Sequence, residues 1–148
     1  MEISLDSFAT KQRATDGVIM PVRINGVKMP IAINILGSDS DVIQEYEKDK
    51  IRNLGLGKKG KKEIDEDDID NLLDSKNKDA LVRINGVFMY DWENKEVVEE
   101  GKLVLKGKEI KNDSASYKFL LSEIPSLIDW VIEQSNNRLN FLGDRKKN

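Results

Sequence analysis

Apolar and polar positions first fall into a regular rhythm at Val18. Val18-Ile19-Met20-Pro21-Val22-Arg23-Ile24 runs into Asn25-Gly26, and Val27-Lys28-Met29-Pro30-Ile31-Ala32-Ile33-Asn34-Ile35-Leu36 runs out of it. Asn-Gly accepts positive φ at both central positions of a two-residue type I′ turn, so the pattern predicts a β-hairpin over residues 16–36. Pairing across the turn sets Ile24 opposite Val27 and Val22 opposite Met29 on one face, with Arg23 and Lys28 on the other. Pro21 and Pro30 have no N–H for a ladder and point to edge or strand-end positions. Residues 1–15 are mixed and polar, an N-terminal arm or short helical turn with Leu5, Phe8 and Ala9 as anchors.

The period changes after Gly37. Ser38 or Asp39 is placed to cap a helix, and Val42, Ile43, Tyr46, Lys50, Ile51 and Leu54 follow at helical spacing to Gly55, predicting a helix over 39–54. Residues 55–63 read as a flexible basic loop, and 64–80 as an acidic helix carrying Ile69, Leu72 and Leu73. Val82-Arg83-Ile84-Asn85-Gly86-Val87-Phe88-Met89 then repeats Val22–Met29 at seven of eight positions, sixty residues later. This echo is either a duplicated hairpin or a coincidence. Leu81, Ile84 and Phe88 are also helically spaced, but Gly86 counts against a helix, and β-hairpins are expected over 81–110, one of them joining Val97-Val98 to Leu103-Val104-Leu105. Asn112 or Asp113 opens C-terminal helices over 113–142, broken at Pro125, the last with its stripe at Leu127, Ile128, Val131, Ile132, Leu139 and Leu142. Residues 143–148 are a tail. The expected fold is one α+β domain over 1–148, with N-terminal antiparallel β-hairpins packed against three to four α-helices.

Composition narrows the chemistry. The chain has 148 residues, 39% apolar and 34% charged, with a formal charge of −3 and neither cysteine nor histidine. That length suits one domain. Without cysteine there is no disulfide, thiolate metal site or Cys nucleophile. Without histidine the usual general base and the commonest transition-metal ligand are missing. The balance is not that of an enzyme, and no catalytic, metal or cofactor residue is assigned. No positive, apolar leader opens the chain and no run nears the roughly 20 apolar residues of a membrane span. The expectation is a soluble cytoplasmic protein with no membrane contact.

Two motifs are weighed and set aside. Gly55-Leu56-Gly57-Lys58-Lys59-Gly60-Lys61-Lys62 nearly spells a phosphate-binding loop, but Lys62 stands where a magnesium-binding hydroxyl belongs, and a helix rather than a strand precedes it. The same lysines lack interleaved aromatics and lie beside Glu63, Asp65, Glu66, Asp67, Asp68 and Asp70, which repel phosphate, so no nucleic-acid contact is expected. Those acids lack the spacing and turn glycine of a calcium loop.

Trp130 and Phe141 carry the one candidate surface. Eleven residues make close to three helical turns, so the two rings project alike, away from the Leu127–Val131–Leu142 stripe. Either they pack on the hairpins, or they leave a second apolar face open to a partner, with Gln134 and Asn137 beside them.

Three features together resemble a known family. Ile35-Leu36-Gly37-Ser38-Asp39-Ser40-Asp41-Val42 closes the β-rich start, and a Lys-rich then acidic middle leads to Trp92. The ending reads Leu121-Ser122-Glu123-Ile124-Pro125-Ser126-Leu127-Ile128-Asp129-Trp130-Val131-Ile132-Glu133-Gln134, then Asn137-Arg138-Leu139-Asn140-Phe141-Leu142. In these the chain resembles the tail assembly chaperones of long-tailed bacteriophages, small proteins encoded beside the tail-tube and tape-measure genes. The resemblance implies a non-enzymatic helper in the host cytoplasm that coats the apolar tape-measure protein, or meets the tail-tube protein, before the tube polymerises. Homo-oligomer formation stays open. The stretch 82–110 departs from the family in reading as β-meander. The rival expectation is a permanent virion component of the neck, tail or capsid decoration, making subunit contacts by strand addition.

Overall fold

The computed structural model describes the backbone of residues 1–57 and 66–143, and the side chains of 1–52 and 74–143. The expected basic loop therefore lies largely outside the described residues, as does the tail from 144. The fold is α+β. Its elements in chain order are a 3-10 turn at Asp6–Phe8, α1 at Lys11–Asp16, β1 at Val18–Ile24 and β2 at Val27–Ile35, then α2 at Asp41–Gly57 and α3 at Glu66–Leu81. They continue with β3 at Ile84–Asp91, β4 at Glu96–Val98, β5 at Leu103–Leu105 and β6 at Lys108–Ile110. The described chain ends with α4 at Ser114–Glu123, α5 at Ser126–Asn136 and a second 3-10 turn at Arg138–Phe141. The five helices include the short α1, within the segment expected as an arm.

Strands β1 to β4 form one antiparallel sheet in sequence order, and β5 and β6 form a separate two-stranded ribbon. Asn25 and Gly26 hold φ of 53° and 80°, so the first Asn-Gly makes the expected I′ turn between β1 and β2. The register runs from Ile24↔Val27 through Arg23↔Lys28, then shifts to Pro21↔Ala32. Met29, Pro30 and Ile31 thus oppose Val22 alone, and the expected Val22–Met29 pair does not form. With prolines in both strands at this point, the ladder cannot continue unbroken. Val27, expected to share the inner face with Ile24, is exposed.

The second Asn-Gly behaves differently. Ile84 to Asp91 is one continuous strand on the far side of β2, where Ile35 pairs with Ile84 and Ile33 with Val87. The extra residue is absorbed as a bulge, with Gly86 at φ 149° and the Phe88 ring folded over it. The echo is therefore no second hairpin. Nor does Val97-Val98 pair with Leu103-Val104-Leu105: β4 returns along β3, and β5 turns on Lys106-Gly107 to meet β6. Trp92 pins the first hairpin to this strand. Its indole N–H donates to the Met29 carbonyl at 2.6 Å, its ring stands edge-on to Tyr90, and the Lys28 ammonium lies 5.3 Å above it.

One sheet face carries the core, where Met20, Val22, Ile33, Ile35, Ile84 and Val87 pack with Leu120, Leu121, Leu127, Ile128, Trp130, Val131 and Phe141 from the C-terminal elements. Asp113 caps α4, accepting the Ser116 N–H at 2.8 Å. α4 stops at Glu123 and α5 begins just past Pro125, as a proline at a helix start favours. α2 runs through Gly55 to Gly57, past the expected stop.

A buried cation joins the helices. Arg83 is 3% exposed. Its Nη1 donates to the Asp79 carbonyl at 2.7 Å, Nη2 to Glu47 Oε2 at 3.0 Å and Nε to the Ser135 hydroxyl at 3.1 Å. That hydroxyl donates onward to the Leu36 carbonyl at 2.7 Å. One guanidinium so links α2, the end of α3, α5 and the end of β2, with a partner for each buried donor.

Candidate protein-binding surface

The surface begins at the junction after β2. Gly37 donates its N–H to the Ala14 carbonyl at 2.9 Å, and a Cβ on Gly37 would fall 2.6 Å from that of Ala14, so only glycine lets α1 come this close. Ser38 donates both its N–H, at 3.0 Å, and its hydroxyl, at 3.2 Å, to the Ser135 carbonyl. Asp39 accepts from the Thr10 hydroxyl at 2.5 Å and from Arg138 Nε at 3.0 Å. Ser40 is buried and its hydroxyl accepts the Ile43 N–H at 3.3 Å, capping α2 in the place expected of Ser38 or Asp39. Four consecutive side chains thus serve four different neighbours.

Asp39 has the widest reach. Hydrogen bonds from Arg138 and Thr10 hold its carboxyl below the usual carboxylate range, and the same contact pushes the Arg138 guanidinium up. This pairing binds the foot of the N-terminal segment to the second 3-10 turn, and the Gly143 N–H reinforces it by donating to the Ser7 carbonyl at 2.8 Å. The segments so joined carry open apolar side chains: Ile3 is 79% exposed, Leu5 69%, Phe8 58% and Leu139 73%. Leu5 and Phe8, expected as anchors, face outward. Apolar groups held open on a braced segment can serve as a contact surface for another chain.

A second apolar concavity, about 640 Å³ in volume, lies between β3, β4 and the β5–β6 ribbon. Phe88, Val97, Val98, Leu103 and Ile110 line it, with Lys102 and Glu109 among its charged groups. Here β3 outruns the three residues of β4, and the Val87 N–H is held by the Asn112 side-chain oxygen at 2.7 Å instead of by a strand.

The residues expected at the interface from sequence are used inside the molecule. Trp130 is 8% exposed and Phe141 1%, both in the core. They do not share a helix face, because α5 ends at Asn136 and Asn137 turns extended at ψ 100°. The Asn137 side chain caps the second 3-10 turn, accepting the Leu139 N–H at 3.1 Å. Gln134 accepts from the Asn140 amide through its side chain at 2.9 Å and its carbonyl at 3.1 Å. The same break swings Leu139 out of its expected stripe and into solvent. Sequence reasoning missed Ile3 and Leu139 as surface groups; the signal was Ile3, Leu5 and Phe8 standing in a polar segment without a helical period.

No family model matches the chain, and neither does any curated protein or solved structure. Among the described residues, no helix is long and apolar enough to cross a membrane.

Proposed function

We propose that the protein is a tail assembly chaperone of a long-tailed bacteriophage, a non-enzymatic helper that binds the tape-measure or tail-tube protein in the host cytoplasm. The observation that carries this reading is the set of open apolar side chains, Ile3, Leu5, Phe8 and Leu139, on segments braced by Asp39. A helper that shields an apolar chain needs such groups held out to solvent without collapse into its own core. The resemblance through residues 35–42 and 121–142 supports the same reading. The Gly37-to-Ser40 motif works here as the junction that braces the surface, and Trp130 as core beneath it.

The rival is a permanent virion component that adds strands to its neighbours. The sheet edges weigh against it. β1, the outer strand, contains Pro21, which has no N–H to offer, while β4 is three residues long and the uncovered Val87 N–H is already taken by Asn112. In infected cells the protein is expected to co-purify with the tape-measure protein and to be absent from purified virions. Stoichiometric recovery in virions would establish the rival.

A further inference from the structure

Helix α2 is attached by charge more than by packing. Over residues 41–52, Ile43 is the one fully buried side chain, while Val42 and Ile51 are exposed. Among the described residues Ile43 also stands outside the main apolar cluster. The stripe that continues from it along the helix is polar: Tyr46, Glu47 and Lys50, at three, four and seven residues on. The Tyr46 hydroxyl donates to Asp79 Oδ1 at 2.7 Å, the Lys50 ammonium donates to the two Asp79 oxygens at 3.0 and 2.8 Å, and Glu47 accepts from Arg83. Burial and the Asp79 carboxylate together push the Tyr46 phenol far up, so it stays a donor.

The chain just before α2 is fixed much more firmly. Leu36, Gly37 and Ser38 donate their N–H groups to the carbonyls of Arg83, Ala14 and Ser135 at 2.9, 2.9 and 3.0 Å. Arg83 keeps its Ser135 and Asp79 carbonyl partners whether or not Glu47 is present. The two sides of the α2–α3 contact can therefore separate with little damage to either. Groups released by that separation are a phenol, two carboxylates and an ammonium, all of which regain water on opening, so the cost lies well below that of unfolding the sheet.

We infer that α2 is a strap that opens from α3 as one unit, hinged after Ser40, while the sheet and the C-terminal helices stay folded. Opening exposes Ile43 and the apolar surface beneath it. The partner of this device is the chain's own Asp79–Arg83 segment, so it does not depend on the function proposed above.

Native-state hydrogen exchange of the full chain at low urea tests it. The amides of residues 45–50 should share one opening equilibrium, at least about tenfold more frequent than that of β2 residues 31–35 and with a smaller urea dependence. Asp79→Asn should speed the α2 amides together, by a further factor of about ten, and leave β2 unchanged. Equal exchange and equal urea dependence for α2 and β2 in the wild type would overturn the strap. So would a graded loss of protection from the helix end that Asp79→Asn does not alter, which is fraying.

Discussion

Arg83 and Ser135 meet inside the fold, the guanidinium Nε donating to a hydroxyl 3.1 Å away that is fully buried. Arg23, at the matching place in the first copy of the repeated octapeptide, is exposed on a strand. Arg83→Ala should cost about 3 kcal/mol in urea unfolding, since it strips partners from groups on three elements. Ser135→Ala should cost roughly 1–3 kcal/mol by orphaning Arg83 Nε and the Leu36 carbonyl. Arg23→Ala should stay within about 0.5 kcal/mol.

The two glycines of that repeat should separate in the same assay. Gly26 sits at φ 80° with open space around it, so Gly26→Ala should cost only the left-handed strain, roughly 1–2 kcal/mol. Gly86 has φ 149° and a Phe88 ring carbon 2.8 Å from where a Cβ would stand. Gly86→Ala should therefore cost more, roughly 2–4 kcal/mol.

Trp130 belongs to stability. Trp130→Ala should lower unfolding free energy by about 3–5 kcal/mol, as truncating a buried aromatic does, and a melting curve checks it. A fully stable variant would contradict its place in the core.

Acid should loosen the junction. The Asp39 carboxyl is held below its ordinary value of 3.8, so its contribution is complete above that value and is lost as pH falls through the lower native one. Asp39→Asn should flatten the acid limb of a stability–pH curve while leaving a residual slope from Asp113, which the Ser116 N–H and hydroxyl also hold low. An unchanged acid limb would show that the Arg138 and Thr10 contacts do not favour the charged form.

The periodic parts of this fold were legible from the chain, and context decided the others. Asn25-Gly26 and Asn85-Gly86 have the same local preference, yet one closes a hairpin and the other bulges within a strand. The second follows a helix end whose Arg83 is committed to the interior, and β2 offers its free side as a ladder. Neither fact is local. The misplaced interface has a simpler cause. Counting eleven residues from Trp130 to Phe141 assumes an unbroken helix, whereas the Asn137 side chain caps a new turn and redirects Leu139 and Phe141. The brace at Asp39 joins Thr10 to Arg138 across most of the chain, a pairing that no spacing rule reveals.

The role of the open apolar side chains is tested most directly by calorimetric titration of the tape-measure protein into the wild type and into the double variant Leu5→Glu, Leu139→Glu. Both positions are solvent-exposed, so the melting temperature should not move, while affinity should fall at least about a hundredfold, as losing two apolar contacts in an interface centre implies. Undiminished affinity in the folded double variant would contradict the account.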